Sequence, residues 1–257
     1  MEILVISIVA FIGSGLSFFS GFGLGTILLP AFALFFPVEV AIGLTAIVHF
    51  LNNLYKLILV GPHADKSVLL RFSLTALPAA FLGSYLLTEV SHLEPIHTYF
   101  INGREFNIEI VKLAISFLII IFLLFEVLPK LSNWTVDKKY LPLGGFLSGF
   151  FGGLSGHQGA LRSAFLIRTG LSKEAFIGTG VETACLIDIT RLIVYGSQFS
   201  KTHFFNNTTT LIVATGAAFI GAFAGNKLLK KATFKMVQKF VTIMLFIISI
   251  ILGAGLI

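Results

Sequence analysis

The chain has 257 residues, of which 56% are hydrophobic and 12% charged, against about 25% charged in a soluble domain, and its mean hydropathy is +0.96. Apolar runs cover nearly its whole length, which leaves no room for a soluble domain of useful size and predicts an all-α polytopic membrane protein, since the runs are too continuous for alternating barrel strands. The net charge of +6 fits Lys and Arg gathered in cytoplasmic loops and calls for no nucleic-acid partner, while the single cysteine, Cys185, leaves no intrachain disulfide and no Cys-based metal site.

Ten apolar segments follow in order, at residues 3–19, 24–36, 38–59, 69–88, 108–128, 141–154, 159–170, 174–196, 208–226 and 236–256. The acidic start Met1-Glu2 and the lack of a small-residue cleavage pattern predict that the N-terminus is retained. A hydrocarbon core of about 30 Å needs about 20 helical residues, so the second and seventh segments are too short to span. They read as half-helices or re-entrant pieces, each preceded by a glycine-rich break: FFSGFGLGT at 18–26 and LSGHQGALRS at 154–163.

Five segments followed by five predict a duplication, 1–135 and 136–257. Sliding the chain by 135 positions aligns Ser20 with Ser155, Gly21 with Gly156, Glu39 with Glu174, Gly43 with Gly178, Asn53 with Asp188, Lys56 with Arg191 and Gly61 with Gly196. If the short pairs are re-entrant, Lys66, Arg71, Lys130, Lys138, Lys139, Arg168, Lys173, Lys227, Lys230, Lys231 and Lys235 fall on one side, against Arg104 and Lys201 on the other. The positive-inside bias then selects two inverted repeats with both termini outside, in the cell's inner membrane. The acidic loop at 89–109 agrees. Inverted repeats with paired broken helices are a design of secondary transporters, whose substrate sits at the midplane where the breaks meet.

The breaks supply the candidate binding groups. Ser20, Gly21, Gly23 and Gly25 in the first, and Ser155, Gly156, His157, Gln158 and Gly159 in the second, would let an anion approach unpaired amides at two helix N-termini; the competing reading is close helix crossing at small residues. Arg162 lies one turn beyond Gln158 and is costly in lipid unless it meets a carboxylate, an anion or water, or reaches the interface. His157 is either a proton carrier or a hydrogen-bonded packing group. His49, Asn52, Asn53 and Lys56 form one polar stripe on the third segment. On the eighth, Asp188 and Arg191 are spaced for a structural ion pair, and Glu182 is either a proton-coupling carboxylate or the partner of Arg162. Thr45, Thr179 and Thr183 are secondary lining. Neither a metal nor an organic cofactor is called for.

These stretches resemble the TauE/SafE sulfite exporter family of membrane permeases. The resemblance rests on SGFGLGTILLP at 20–30 and SGHQGALRSAF at 155–165, on AIGLTAI at 41–47 and FIGTGVE at 176–182, and on the AAFLG and AAFIG stretches that follow, so it covers nearly the whole chain. It implies a non-enzymatic exporter of small anions such as sulfite, organosulfonates or related sulfur compounds, with the lipid bilayer as its other partner and a homodimer as one option. His157 and Gln158 stand where the family has denser glycine, so the resemblance does not name the anion.

Two other classes are open to test. An anion channel would use the same breaks to line a pore. An intramembrane serine protease of the rhomboid type is evoked by G-x-S-G at 153–156 and H-x-x-x-N at 49–53, but it needs a histidine base on a later helix, and beyond the break itself the one histidine that follows, His203, lies in a polar loop.

Overall fold

The computed structural model describes residues 1–17, 23–128, 136–198, 207–228 and 235–256. Among them are ten α-helices: α1 Glu2–Leu16, α2 Leu24–Ala33, α3 Val38–Val60, α4 Lys66–Ser91, α5 Ile110–Val127, α6 Leu141–Ser155, α7 Gly159–Leu166, α8 Lys173–Gln198, α9 Thr208–Leu228 and α10 Lys235–Gly253. The chain is an all-α polytopic membrane protein. Three stretches, 40–63, 66–91 and 208–227, are long and apolar enough to cross a bilayer on length and composition alone, and large side chains such as Leu74 and Ile58 stand outward on α4 and α3.

Local chemistry explains where the helices stop. Asp65 caps α4 by accepting from Val68 N–H at 2.9 Å, and Pro142 sits in the first turn of α6, where its missing N–H costs nothing. Gly156 ends α6 with φ at +80°, a left-handed conformation that glycine adopts without strain. The acidic stretch 89–109, expected as a loop, contains a hairpin: β1 His97–Ile101 pairs antiparallel with β2 Arg104–Ile108. Its turn is Asn102-Gly103, both at positive φ, as two-residue hairpin turns require.

Contacts fix how neighbouring helices run. Side chains added at Gly145, Gly149 and Gly153 would overlap the carbonyl oxygens of Phe72, Ala76 and Ala80, so α6 lies directly against α4 and in the same direction. Gly221 and Gly225 lie in the same way on Phe11 and Gly15, so α9 runs with α1. Glycine permits both approaches because a Cβ would fill the space between the backbones. In contrast, α3 and α8 are antiparallel: His49 meets Asp188, while the Asp65 N–H donates to Thr179 Oγ1 at 2.9 Å. The pair α5 and α10 is antiparallel too, with Ser116 against Ser249 and Gly255 against Asn107. Exchanging α1–α5 with α6–α10 in order turns the α1–α9 contact into α6–α4 and returns α3–α8 and α5–α10 to themselves.

The chain from α6 to α7 is a hairpin inside the bundle. Val136 N–H donates to Ala164 O at 3.2 Å, Gly144 lies on Phe165, and Ser148 Oγ donates to Gln158 O at 3.0 Å, so α7 returns toward the end from which α6 came. At that end gather the first residues of α4, α6 and α8 and the last of α7, and with them Lys66, Arg71, Lys138, Lys139, Arg168 and Lys173. At the opposite end the β-hairpin leans on the close of α10, Tyr99 donating to Ala254 O at 2.6 Å. All ten residues of α2 are buried, so this short helix touches protein on every side.

Candidate functional site

The polar residues of α3 and α8 face each other where the two helices cross. Asp188 is fully buried and is the hub. His49 Nδ1 lies 2.6 Å from its Oδ2, and Asn53 Nδ2 donates to the same oxygen at 3.2 Å. Gln158 Nε2 donates to Oδ1 at 3.2 Å, as does Arg191 Nε at 3.0 Å, with Arg191 Nη2 at 2.8 Å. A buried carboxylate is costly unless a cation and several donors surround it, and both are present. Asp188 and Arg191 do pair as their spacing predicts, but they stand at the centre of the cluster, joining α3, α8 and the start of α7.

Both breaks end at this cluster. Gly23 is the extended residue before α2, and a Cβ built on Gly25 in its first turn would lie 3.3 Å from Gly156 O and 3.6 Å from the His49 ring. The first turn of α2 thus touches the αL turn between α6 and α7. Gly156 is also packed by the Arg191 guanidinium. Gln158 precedes α7, whose first residue is Gly159, and bridges the cluster: besides its bond to Asp188, its Oε1 accepts from Arg162 Nη1 at 3.2 Å. Arg162 is partly buried, with Nε over Gly180 of α8. Two helix starts and a guanidinium therefore converge beside a neutralised carboxylate, which is chemistry suited to an anion.

The other expected residues divide. Ser20 and Gly21 lie outside the described residues. Thr179 accepts from the Asp65 N–H, and Thr183 donates to Thr179 O at 2.8 Å; both are engaged with backbone. Glu182 is partly exposed, and no ion pair among the described residues joins it to Arg162. Asn52 turns away from Asp188 to α1, where Ser14 Oγ donates to its Oδ1 at 2.9 Å. His157 stacks flat on Phe122 with ring centroids 5.4 Å apart, and its Nδ1 lies 3.0 Å from Ser155 Oγ.

The sequence model of the family described as Sulfite exporter TauE/SafE matches residues 6–252. The chain belongs to the TauE/SafE family. No curated protein matches it, and neither does a solved structure. Both glycine breaks and the Asp188 cluster lie within the stretch matched to TauE/SafE, which makes this chain an integral membrane transporter of the sulfite-exporter type.

Three features escaped the sequence reading. The hub role of Asp188 depends on His49, 139 positions away; the alignment of Asp188 with Asn53 across the repeat was its one trace. Lys56, placed on the stripe by its spacing but given no partner there, donates from Nζ to Ser17 Oγ at 2.5 Å and is as buried as its neighbours. The contact of Ser155 with His157 was missed because two residues i, i+2 on a helix do not face each other; here the left-handed Gly156 between them folds the chain back.

Proposed function

We propose that the chain exports small sulfur oxyanions, sulfite or organosulfonates, as a secondary transporter whose two inverted repeats, 1–135 and 136–257, rock about a central site. The observation that carries this reading is the meeting of the two breaks at Gly25 and Gly156, beside Asp188 and within reach of the Gln158–Arg162 bridge. Two equivalent helices, α3 and α8, run antiparallel, and the same-direction pairs α1–α9 and α4–α6 exchange with each other; both facts support an inverted two-fold. The gathering of Lys66, Arg71, Lys138, Lys139, Arg168 and Lys173 at one end supports a cytoplasmic assignment for that end and outside termini in the cell's inner membrane.

In this reading the amides at the starts of α2 and α7 and the Arg162 guanidinium hold the anion, Gln158 orients Arg162, and the Asp188–Arg191 pair locks α8 to the second break. His49, Asn53 and the threonines line the path. Glu182, which is partly exposed, or His157 would couple transport to a proton gradient. The Ser155–His157 contact does not favour hydrolysis: both side chains are sealed inside, and the Ser155 hydroxyl has the Phe151 carbonyl as a second partner at 3.2 Å.

The test is sulfite flux in proteoliposomes with and without a pH gradient, alongside anion-induced thermal stabilisation of purified protein. Saturable, gradient-driven flux is expected, with Arg162→Ala weakening anion binding by about tenfold or more, the value of one lost charge-assisted bond. Wild-type affinity in Arg162→Ala removes that residue from the site, and large unitary currents would make the protein a channel.

A further inference from the structure

One imidazole stands on the contact between α3 and α8. His49 is buried, and its Nδ1 lies 2.6 Å from Oδ2 of Asp188. An ionised carboxylate only accepts, so Nδ1 carries a hydrogen and the neutral ring keeps its lone pair on Nε2. That nitrogen accepts a long bond from Asn53 Nδ2 at 3.4 Å. Cδ2, the ring carbon bonded to Nε2, is also the ring atom nearest the first break, since a Cβ built on Gly25 would lie 3.6 Å from it. The lone pair therefore stands one atom from the side of the ring that borders the first turn of α2.

The second half of the chain has no such group. The positions that match His49 and Gly25 at a spacing of 135 are Ala184 and Ala160, so the imidazole and the glycine that makes room beside it occur once. The charges facing His49 are Asp188 and Arg191 on α8, Arg162 joined to the cluster through Gln158, and Lys56 two turns along α3 with its bond to Ser17. In the second break His157 turns to Phe122 instead. Helix α2 contains no titratable side chain, and those of α1 and α9, Glu2 and Lys227, stand at helix ends. Arg191 already balances Asp188 at 2.8 Å, so the pair offers no net negative charge to draw a proton onto the ring. An anion at the start of α2 supplies that charge, and a negative charge beside an imidazole favours its protonated form.

We infer that His49 takes up one proton with each anion bound. The proton goes from water onto the Nε2 lone pair, the Nδ1 hydrogen stays on Asp188, and the new Nε2–H donates to an oxygen of the anion. Asp188 is a positioning residue here, because it fixes which nitrogen is free. This rests on the anion-transport reading above and adds to it where the coupling proton is held and how many there are. Glu182 or His157 would exchange the proton with the surroundings, and His49 holds it beside the cargo. A single imidazole sets the ratio at one proton per anion. By linkage, the proton and the anion each tighten the binding of the other.

The probe is methanesulfonate, whose own charge is constant across the pH range used, so any pH dependence belongs to the protein. Binding to full-length protein in detergent is followed by isothermal titration calorimetry between about pH 5.5 and about pH 8.5, the range in which an imidazole titrates. Repeating it in buffers of different ionisation enthalpy counts the protons taken up. Wild-type affinity is expected to rise as pH falls, by up to about tenfold per unit where one proton enters with each anion. His49→Asn sets an amide where Nδ1 stands, which keeps a donor for Asp188 and cannot take the proton. It should bind throughout with the weaker affinity that the wild type shows at high pH, and take up no proton. His49→Gln is the second variant and serves if His49→Asn does not fold. A wild-type slope retained in either variant overturns the assignment to His49. Wild-type binding with neither pH dependence nor proton uptake overturns it without any variant and leaves the anion reading intact. Absence of binding by methanesulfonate, sulfate and sulfite at every pH overturns both readings together.

Discussion

Replacing Asp188 by Asn tests whether the Asp188–Arg191 pair is structural. The carboxylate accepts from His49, Asn53, Gln158 and Arg191, and both members of the ion pair are fully buried. Asp188→Asn would keep the shape but leave the Arg191 guanidinium inside the bundle without a counter-charge, a change that costs about 3–5 kcal/mol when one partner of a buried pair is removed. At about 2–4 °C per kcal/mol for a chain of this size, the melting temperature in detergent should fall by roughly 6–20 °C. The double variant Asp188→Asn/Arg191→Met removes the stranded charge as well and should recover most of that loss, since a buried pair exchanged for an apolar side chain is often nearly neutral. Melting is followed by intrinsic fluorescence of the purified protein. A drop of less than about 2 °C in the single variant, or a double variant no more stable than the single, would refute the reasoning.

Other outcomes follow from the same structure. Cys185, buried on α8 one turn before Asp188, is expected to resist bulky maleimides in the folded protein, and its modification by a small permeant thiol reagent should abolish anion-induced stabilisation; labelled protein that still responds would place the thiol away from the site. Asn102→Val puts a β-branched residue at φ +50°, costing about 1–2 kcal/mol locally. Amide exchange across 97–108 should accelerate while sulfite flux is unchanged.

Much of the fold was legible because each helix coincides with an apolar run and each short helix with a glycine break. The start of α2 at Leu24 and of α7 at Gly159 fall where Gly23 and the GHQG stretch predict. The hairpin was legible too, in Asn102-Gly103, but the charges of 89–109 drew the reading toward a plain loop. The site was half legible. Arg162 and Gln158, one turn apart on one helix, are joined as spacing predicts. What spacing cannot convey is contact between helices: Asn52 and Asn53 are adjacent in sequence, yet one faces α1 and the other α8. The Asp188–Arg191 spacing signalled a local pair but not the three elements it gathers.

The α3 stripe also sets an order on biosynthesis. His49 and Asn53 leave the ribosome well over a hundred residues before Asp188, and Tyr99 long before Ala254. During that interval α3 must reside in the insertion machinery or in lipid with the His49 imidazole and the Asn53 carboxamide lacking their final neighbour, Asp188. The nascent first half is therefore a client for holding factors, and a stalled or truncated chain ending before α8 should be recognised by membrane quality control.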